Sequence, residues 1–143
     1  MANNLRVVLD TNALLVSVSE YSKYHWLYQS LIRNDYELAI TNEILSEYEE
    51  KISEKLNAVT AESVVRTLVE LENVLPIVPY YKFQLIVNDA DDDKFADCAI
   101  VSNANYLVTN DKDFNILKNL DFPKVNVITI NEFKEILLKE KSN

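Results

Sequence analysis

Apolar residues fall along this chain in short continuous runs that alternate with stretches of helical spacing. Leu5-Arg6-Val7-Val8-Leu9 is a β-branched run and reads as a buried strand. Asp10-Thr11-Asn12 ends it, and Ala13 to Val18 is expected to form a helix capped by Thr11 or Asn12. Tyr24 to Arg33 sets Trp26, Leu27, Leu31 and Ile32 at amphipathic spacing, and Glu37 to Ile40 reads as a second strand closed by Thr41-Asn42. Ile44, Leu45, Tyr48, Ile52 and Leu56 mark one face of a longer helix. Thr60 to Asn73 repeats that pattern through Val64, Leu68 and Leu71.

Pro76-Ile77-Val78-Pro79 suits an edge strand or a connector. Leu85-Ile86-Val87 then leads into the acidic run Asn88-Asp89-Ala90-Asp91-Asp92-Asp93, and a helix follows with Phe95, Ala99 and Ser102 on one face. Tyr106 to Thr109 is a further strand, with a short helix through Phe114 and Leu117 behind it. Val125 to Ile130 is the last strand, and Asn131 is the expected cap of a terminal helix carrying Phe133, Ile136 and Leu137. Strands that alternate with helices imply a mostly parallel sheet with helices on both faces. With no repeat or linker in the chain, residues 1–143 are expected to form one domain. Ligands of such sheets gather beyond the carboxyl ends of the strands, where the strand order reverses.

Composition narrows the chemistry mainly by what is missing. There is no glycine, so neither a GxxxxGK[ST] phosphate loop nor a GxGxxG dinucleotide turn can exist. Asparagine is the next best residue for left-handed backbone, and the chain has sixteen. Asn34, Asn57, Asn73, Asn103, Asn110 and Asn119 are expected to stand in for glycine at turns and helix ends. The single cysteine, Cys98, excludes an internal disulfide and a cysteine-based zinc site. Asp10 interrupts the first apolar run, which therefore cannot be a signal-peptide core, and no stretch approaches the ~20 apolar residues of a membrane span. The expectation is a cytoplasmic protein with no membrane partner.

The net charge of −9 argues against tight, non-specific binding of nucleic acid. It does not argue against a metal-dependent nuclease, because a bound cation inverts the field of the acids around it. Asp10 ends the first strand and Asp111 lies two residues beyond Thr109, at the end of a later one. Asp92 is one helical turn before Phe95, and Glu47 is one turn after Ile44, so four carboxylates from four segments can converge. Like charges raise one another's pKa and resist burial. A hard cation such as Mg²⁺ or Mn²⁺ resolves the conflict, and its chemistry suits attack on a phosphodiester.

Taken singly, each acid has an ordinary explanation. Asp10 can cap the helix that follows, Asp92 and Asp93 can be favourable charges at a helix start, and Asp111 or Asp113 can cap the short helix. Glu47 can be one of a solvated row with Glu43, Glu49 and Glu50. Asp89, Asp91 and Asp93 begin a calcium-loop pattern, but Lys94 replaces its glycine and Ile100 its closing glutamate. His25, the only histidine, has no zinc or triad partner pattern.

Four segments carry a family resemblance in the right order. Val7-Val8-Leu9-Asp10-Thr11-Asn12 resembles the opening strand and DTN signature of PIN domains, and Thr41 to Tyr48 resembles the segment bearing the family's glutamate, with Glu47 as the match. Asn88 to Ala99 is similar to the segment of the third acid, Asp92, and Tyr106 to Phe114 to that of the fourth, Asp111. Ala90 stands where the nearest branch commonly has proline. The run Asp91-Asp92-Asp93 leaves the third acid open by one residue, as Glu43 does for Glu47.

The resemblance implies a three-layer α/β/α sandwich around a five-stranded sheet. It also implies an endoribonuclease dependent on Mg²⁺ or Mn²⁺, closest to VapC-like toxins that a cognate antitoxin restrains. Asp10, Glu47, Asp92 and Asp111 would hold the metal, Asp113 would be an additional or outer ligand, and Asn12 and Thr109 would orient the carboxylates. Lys94, Lys112 and either Lys118 or Lys124 would meet the backbone of the RNA substrate, and a homodimer is implied. The alternatives are a PIN-like scaffold without catalysis and a regulatory domain resembling a response-regulator receiver. A receiver needs an acceptor aspartate where this chain has Thr41-Asn42.

Overall fold

The computed structural model describes residues 4–79 and 90–142, without the side chains of residues 90–92 and 142. The expected apolar segment Leu85-Ile86-Val87 therefore lies outside the described residues. Five strands, β1 (Arg6–Leu9), β2 (Glu37–Ile40), β3 (Val74–Pro76), β4 (Tyr106–Val108) and β5 (Val127–Ile128), form one sheet in the order β3-β2-β1-β4-β5. Every neighbouring pair is parallel. The helices α1 (Thr11–Val18), α2 (His25–Ile32), α3 (Asn42–Lys55), α4 (Ala58–Glu70), α5 (Ala90–Val101) and α6 (Ile130–Ser142) connect and cover it, giving a three-layer α/β/α sandwich. A 3₁₀ helix spans Lys112–Asn119.

The apolar runs become strands because both faces of the sheet are covered. Val7, Val8 and Leu9 are wholly buried, as are Leu38 and Ala39. Phe133 of α6 meets the Tyr36 ring edge-on at 5.1 Å, and the buried Tyr36 hydroxyl donates to the Leu27 carbonyl of α2 at 2.6 Å. Cys98 of α5 is buried in the core, and burial pushes its thiol up to about 12.

The chain begins in the middle of the sheet, builds outward through β2 and β3, and then crosses back to add β4 and β5. The strand order thus reverses between β1 and β4, whose ladder runs from Val7↔Tyr106 to Leu9↔Val108. This order differs from the 2-1-3-4-5 arrangement of receiver-type domains, which removes the receiver alternative.

Several local expectations are corrected. Asp10, rather than Thr11 or Asn12, caps α1, accepting from the Ala13 N–H at 2.8 Å. α4 starts at Ala58 and ends at Glu70, because the Asn57 side chain caps it through the Thr60 N–H at 2.7 Å. The last strand is only Val127–Ile128, because Thr129 already caps the helix that follows. The Thr129 hydroxyl accepts from the Glu132 N–H at 3.1 Å, and the Glu132 carboxylate accepts from the Thr129 N–H at 2.8 Å. That reciprocal pair, and not Asn131, caps α6.

Of the six asparagines expected in left-handed backbone, Asn34 and Asn103 adopt it, with φ of 65° and 56°. Asn73 is instead a buried crosslink, donating to the carbonyls of Leu31 and Tyr36. Asn57 is a cap, and the Asn110 side chain accepts from the Ile130 N–H at 3.0 Å.

Candidate active site

The carboxyl ends of β1 and β4 deliver two acids to the point where the strand order reverses. Asp10 follows Leu9 directly, and its own N–H donates to the Val108 carbonyl at 3.3 Å. Its carboxylate is held on both sides. Oδ1 accepts from the Ala13 N–H, and Oδ2 accepts a short hydrogen bond from the Thr109 hydroxyl. The Thr109 oxygen accepts in turn from the Asp111 N–H at 2.9 Å. Asp111 Oδ1 takes the Asp113 N–H at 2.9 Å, which starts the 3₁₀ helix.

Glu47 reaches the same place from α3. The buried face of that helix is Ile44, Tyr48 and Ile52. The Tyr48 hydroxyl donates to the Leu9 carbonyl at 2.6 Å, which clamps α3 to the end of β1 one residue before Asp10. Burial holds the Tyr48 phenol well above its ordinary range, so it remains a donor. Glu47 Oε2 accepts from the Thr11 hydroxyl, and Oε1 pairs with the Lys94 ammonium at 2.8 Å.

Asp10, Glu47 and Asp111 line a cavity of about 140 Å³, together with Asn12, Lys51 and Phe95. A neighbouring cavity of about 250 Å³ shares Asp10, Asn12 and Asp111 and is completed by Val16, Tyr24, Asn110 and Ile130. Asp10 is 5% exposed, and its pKa is raised to about 6. Burial is the largest cause. The hydrogen bonds from Thr109 and Ala13 oppose it, and the charges of Asp111 and Glu47 add to it.

The expected residues are therefore treated unequally. Asp10, Glu47 and Asp111 meet, and Asn12 stands at the rim. Asp113 is exposed, lines neither cavity, and contributes its backbone N–H to Asp111. Asp92 lies on α5, but its side chain is outside the described residues. Among the described residues, no three histidine, cysteine or carboxylate side chains by themselves form a metal-holding group. The donors that do meet are carboxylate and hydroxyl oxygens, a hard set that fits Mg²⁺ or Mn²⁺ and not a softer ion.

Lys94, expected at the RNA backbone, has its ammonium on Glu47 instead. Lys112, Lys118 and Lys124 are exposed. Two residues escaped the sequence reading. Lys51 lines the acidic cavity one turn beyond Glu47, at the i+4 spacing that puts two helical side chains side by side. Asp97 is 5% exposed on α5, and its signal was a lone acid inside the otherwise apolar stretch Phe95–Ala99.

An acid-lined cavity at the reversal of a parallel α/β sheet defines a domain built to gather carboxylates at one edge. The family follows from comparison with known proteins. The family model described as PIN domain matches residues 6–113, and the chain belongs to the PIN-domain family. No curated protein matches the chain in sequence.

Solved structures resemble it in fold. The structure of VapBC2 from Rickettsia felis, bound to a DNA fragment from their promoter, matches at a TM-score of 0.59 with 20% identity over 87% of this chain and 98% of that one. VapBC-1 from nontypeable Haemophilus influenzae also gives 0.59, with 16% identity over 89% and 99%. The PIN domain endonuclease Utp24 gives 0.53, with 16% identity over 87% and 84%. At these identities the likeness is one of fold.

Proposed function

We propose that the protein is a metal-dependent endoribonuclease and the toxin of a toxin–antitoxin pair, working in the cytoplasm. The observation that carries this reading is the meeting of Asp10, Asp111 and Glu47 in one cavity at the reversal of strand order, in a PIN-domain chain. The endonuclease named among the similar structures supports the chemistry, and the VapBC complexes support an antitoxin partner. No described helix is long and apolar enough to cross a membrane.

Asp10, Glu47, Asp92 and Asp111 are the acids of the metal site in this reading, and Asp113, exposed and lining neither cavity, stays outside it. Bound Mg²⁺ or Mn²⁺ lowers the pKa of a water and offsets the charge of an in-line attack on phosphate. The chain's own part is to hold the acids ready. Thr109 and the Ala13 N–H fix both oxygens of Asp10, Thr109 fixes the backbone of Asp111, and Tyr48 holds α3 so that Glu47 faces them. The wider neighbouring cavity gives a nucleotide beside the cleaved phosphate somewhere to lie. A homodimer is part of the same reading.

The test is cleavage of an RNA with paired and single-stranded regions in Mn²⁺, Mg²⁺ or EDTA, beside Asp10→Asn. Cutting that needs metal and is lost in Asp10→Asn is the expected result. Equal cutting by wild type and variant sinks the reading. If neither protein cuts and neither binds Mn²⁺ in calorimetry, a PIN-like scaffold without catalysis takes its place.

A further inference from the structure

The three acids that line the cavity are not balanced alike. Glu47 has both carboxylate oxygens engaged, one by the Thr11 hydroxyl and one by the Lys94 ammonium at 2.8 Å. The Lys94 side chain is 9% exposed against 24% for Glu47, so the lysine is the more deeply set partner. Its ammonium lies 4.9 Å from the centroid of the Phe95 ring, itself part of the cavity wall. A charged side chain so little exposed is tolerated where opposite charge and the ring face offset its loss of water.

Among the described residues, Asp10 and Asp111 have no comparable partner. Among the described residues, no lysine or arginine forms an ion pair with either, and Lys51, the cation that lines the cavity, pairs with Glu54 at 3.5 Å. The uncompensated negative charge of the cavity, among the described residues, therefore sits on the Asp10–Asp111 side.

We propose that Lys94 is a resident counter-cation that neutralises Glu47 and keeps it from ligating metal directly, so that the site takes up a single divalent ion. The inference rests on the metal-dependent reading above and narrows it: Glu47 acts beside the ion, and Asp10 and Asp111 are the described acids left open to it. A dication bound directly by Glu47 would lie close to the ammonium that already holds the same carboxylate. In a partly buried cavity that repulsion is poorly screened. Lys94 is thus a positioning residue.

The test uses Mn²⁺ alone, with calorimetry and thermal melting of wild type, Lys94→Met, Lys94→Arg and Glu47→Gln. Wild type should take up one ion. Lys94→Met should take up a second ion or bind the first at least about tenfold tighter, a change of roughly 1.4 kcal/mol. Lys94→Arg should restore wild-type behaviour. Lys94→Met should also melt below wild type in EDTA and gain more from Mn²⁺, because the ion replaces the missing charge. Unchanged stoichiometry and affinity in Lys94→Met overturn the proposal.

If Lys94→Met does not fold, Glu47→Gln decides. When it is combined with Lys94→Met, so that neither charge is left unpaired, one ion bound within about threefold of wild type supports the proposal, and loss of that ion makes Glu47 a direct ligand and overturns it. A flat titration of wild type defeats the metal-dependent reading itself and is told apart from the other outcomes by the wild-type isotherm.

Discussion

The Thr109 hydroxyl joins Asp10 to Asp111. It donates to Oδ2 of the first and accepts the backbone N–H of the second at 2.9 Å. One side chain at the end of β4 thereby sets the spacing of two acids delivered by adjacent strands. Thr109→Val keeps the shape and removes both bonds, leaving a buried carboxylate short of a donor. Loss of such an outer partner is expected to lower cleavage or Mn²⁺ affinity by about 10- to 100-fold. Thr109→Ser should recover most of it. Cleavage rates and Mn²⁺ calorimetry on the two variants check this, and a full-strength Thr109→Val refutes it.

Asp10 makes metal-free protein sensitive to pH in a stated direction. Its folded pKa of about 6 is above the ordinary aspartate value of 3.8, so the folded state holds the proton more tightly. The stability this contributes is fully present below pH ~4 and is lost as pH rises through ~6. The difference amounts to about 3 kcal/mol as an upper bound. Asp10→Asn carries no such charge and keeps an oxygen for the Ala13 N–H. In EDTA the variant should therefore be more stable than wild type at pH 7.5, and the gap should shrink towards pH 4. Urea unfolding at several pH values measures it, and a gap independent of pH contradicts the assignment.

The Tyr48 hydroxyl is the bolt between α3 and the end of β1. Tyr48→Phe leaves the packing and removes a buried hydrogen bond, at an expected cost of about 1–2 kcal/mol in urea unfolding. Glu47 also loses its fixed approach to the cavity, so cleavage should fall although Glu47 itself is untouched. A variant as stable as wild type would mean that packing of Ile44 and Ile52 alone sets the position of α3.

Much of this was legible in the chain because its signals are local. β1 and β2 are short apolar runs, and an acid just past an apolar strand in a parallel sheet stands at the edge where ligands bind, which made Asp10 and Asp111 readable. The capping box Thr129-x-x-Glu132 was equally local, and reading Val125 to Ile130 as one strand hid it. Lys94 and Glu47 are different. Their pairing exists only because α3 and α5 pack together, and spacing within either helix carries no trace of it. Asn73 likewise reads as a turn residue until the fold brings the carbonyls of Leu31 and Tyr36 to its amide.

Asp111 and Asp113 separate a lining acid from a bystander two residues away. Both follow β4, and the family resemblance offers both to the metal, but only Asp111 lines the cavities. Asp113 is exposed and supplies a backbone N–H that substitution of its side chain leaves in place. Asp111→Asn should lower cleavage by more than about 100-fold, beyond the range for an outer partner, whereas Asp113→Asn should stay within about threefold. Asn at position 111 keeps an oxygen for the Asp113 N–H, so the 3₁₀ helix should persist and both variants should melt close to wild type. Rates measured at saturating Mn²⁺ distinguish the two. If Asp113→Asn proves as damaging as Asp111→Asn, the loop after β4 must turn Asp113 inward when metal and RNA are bound.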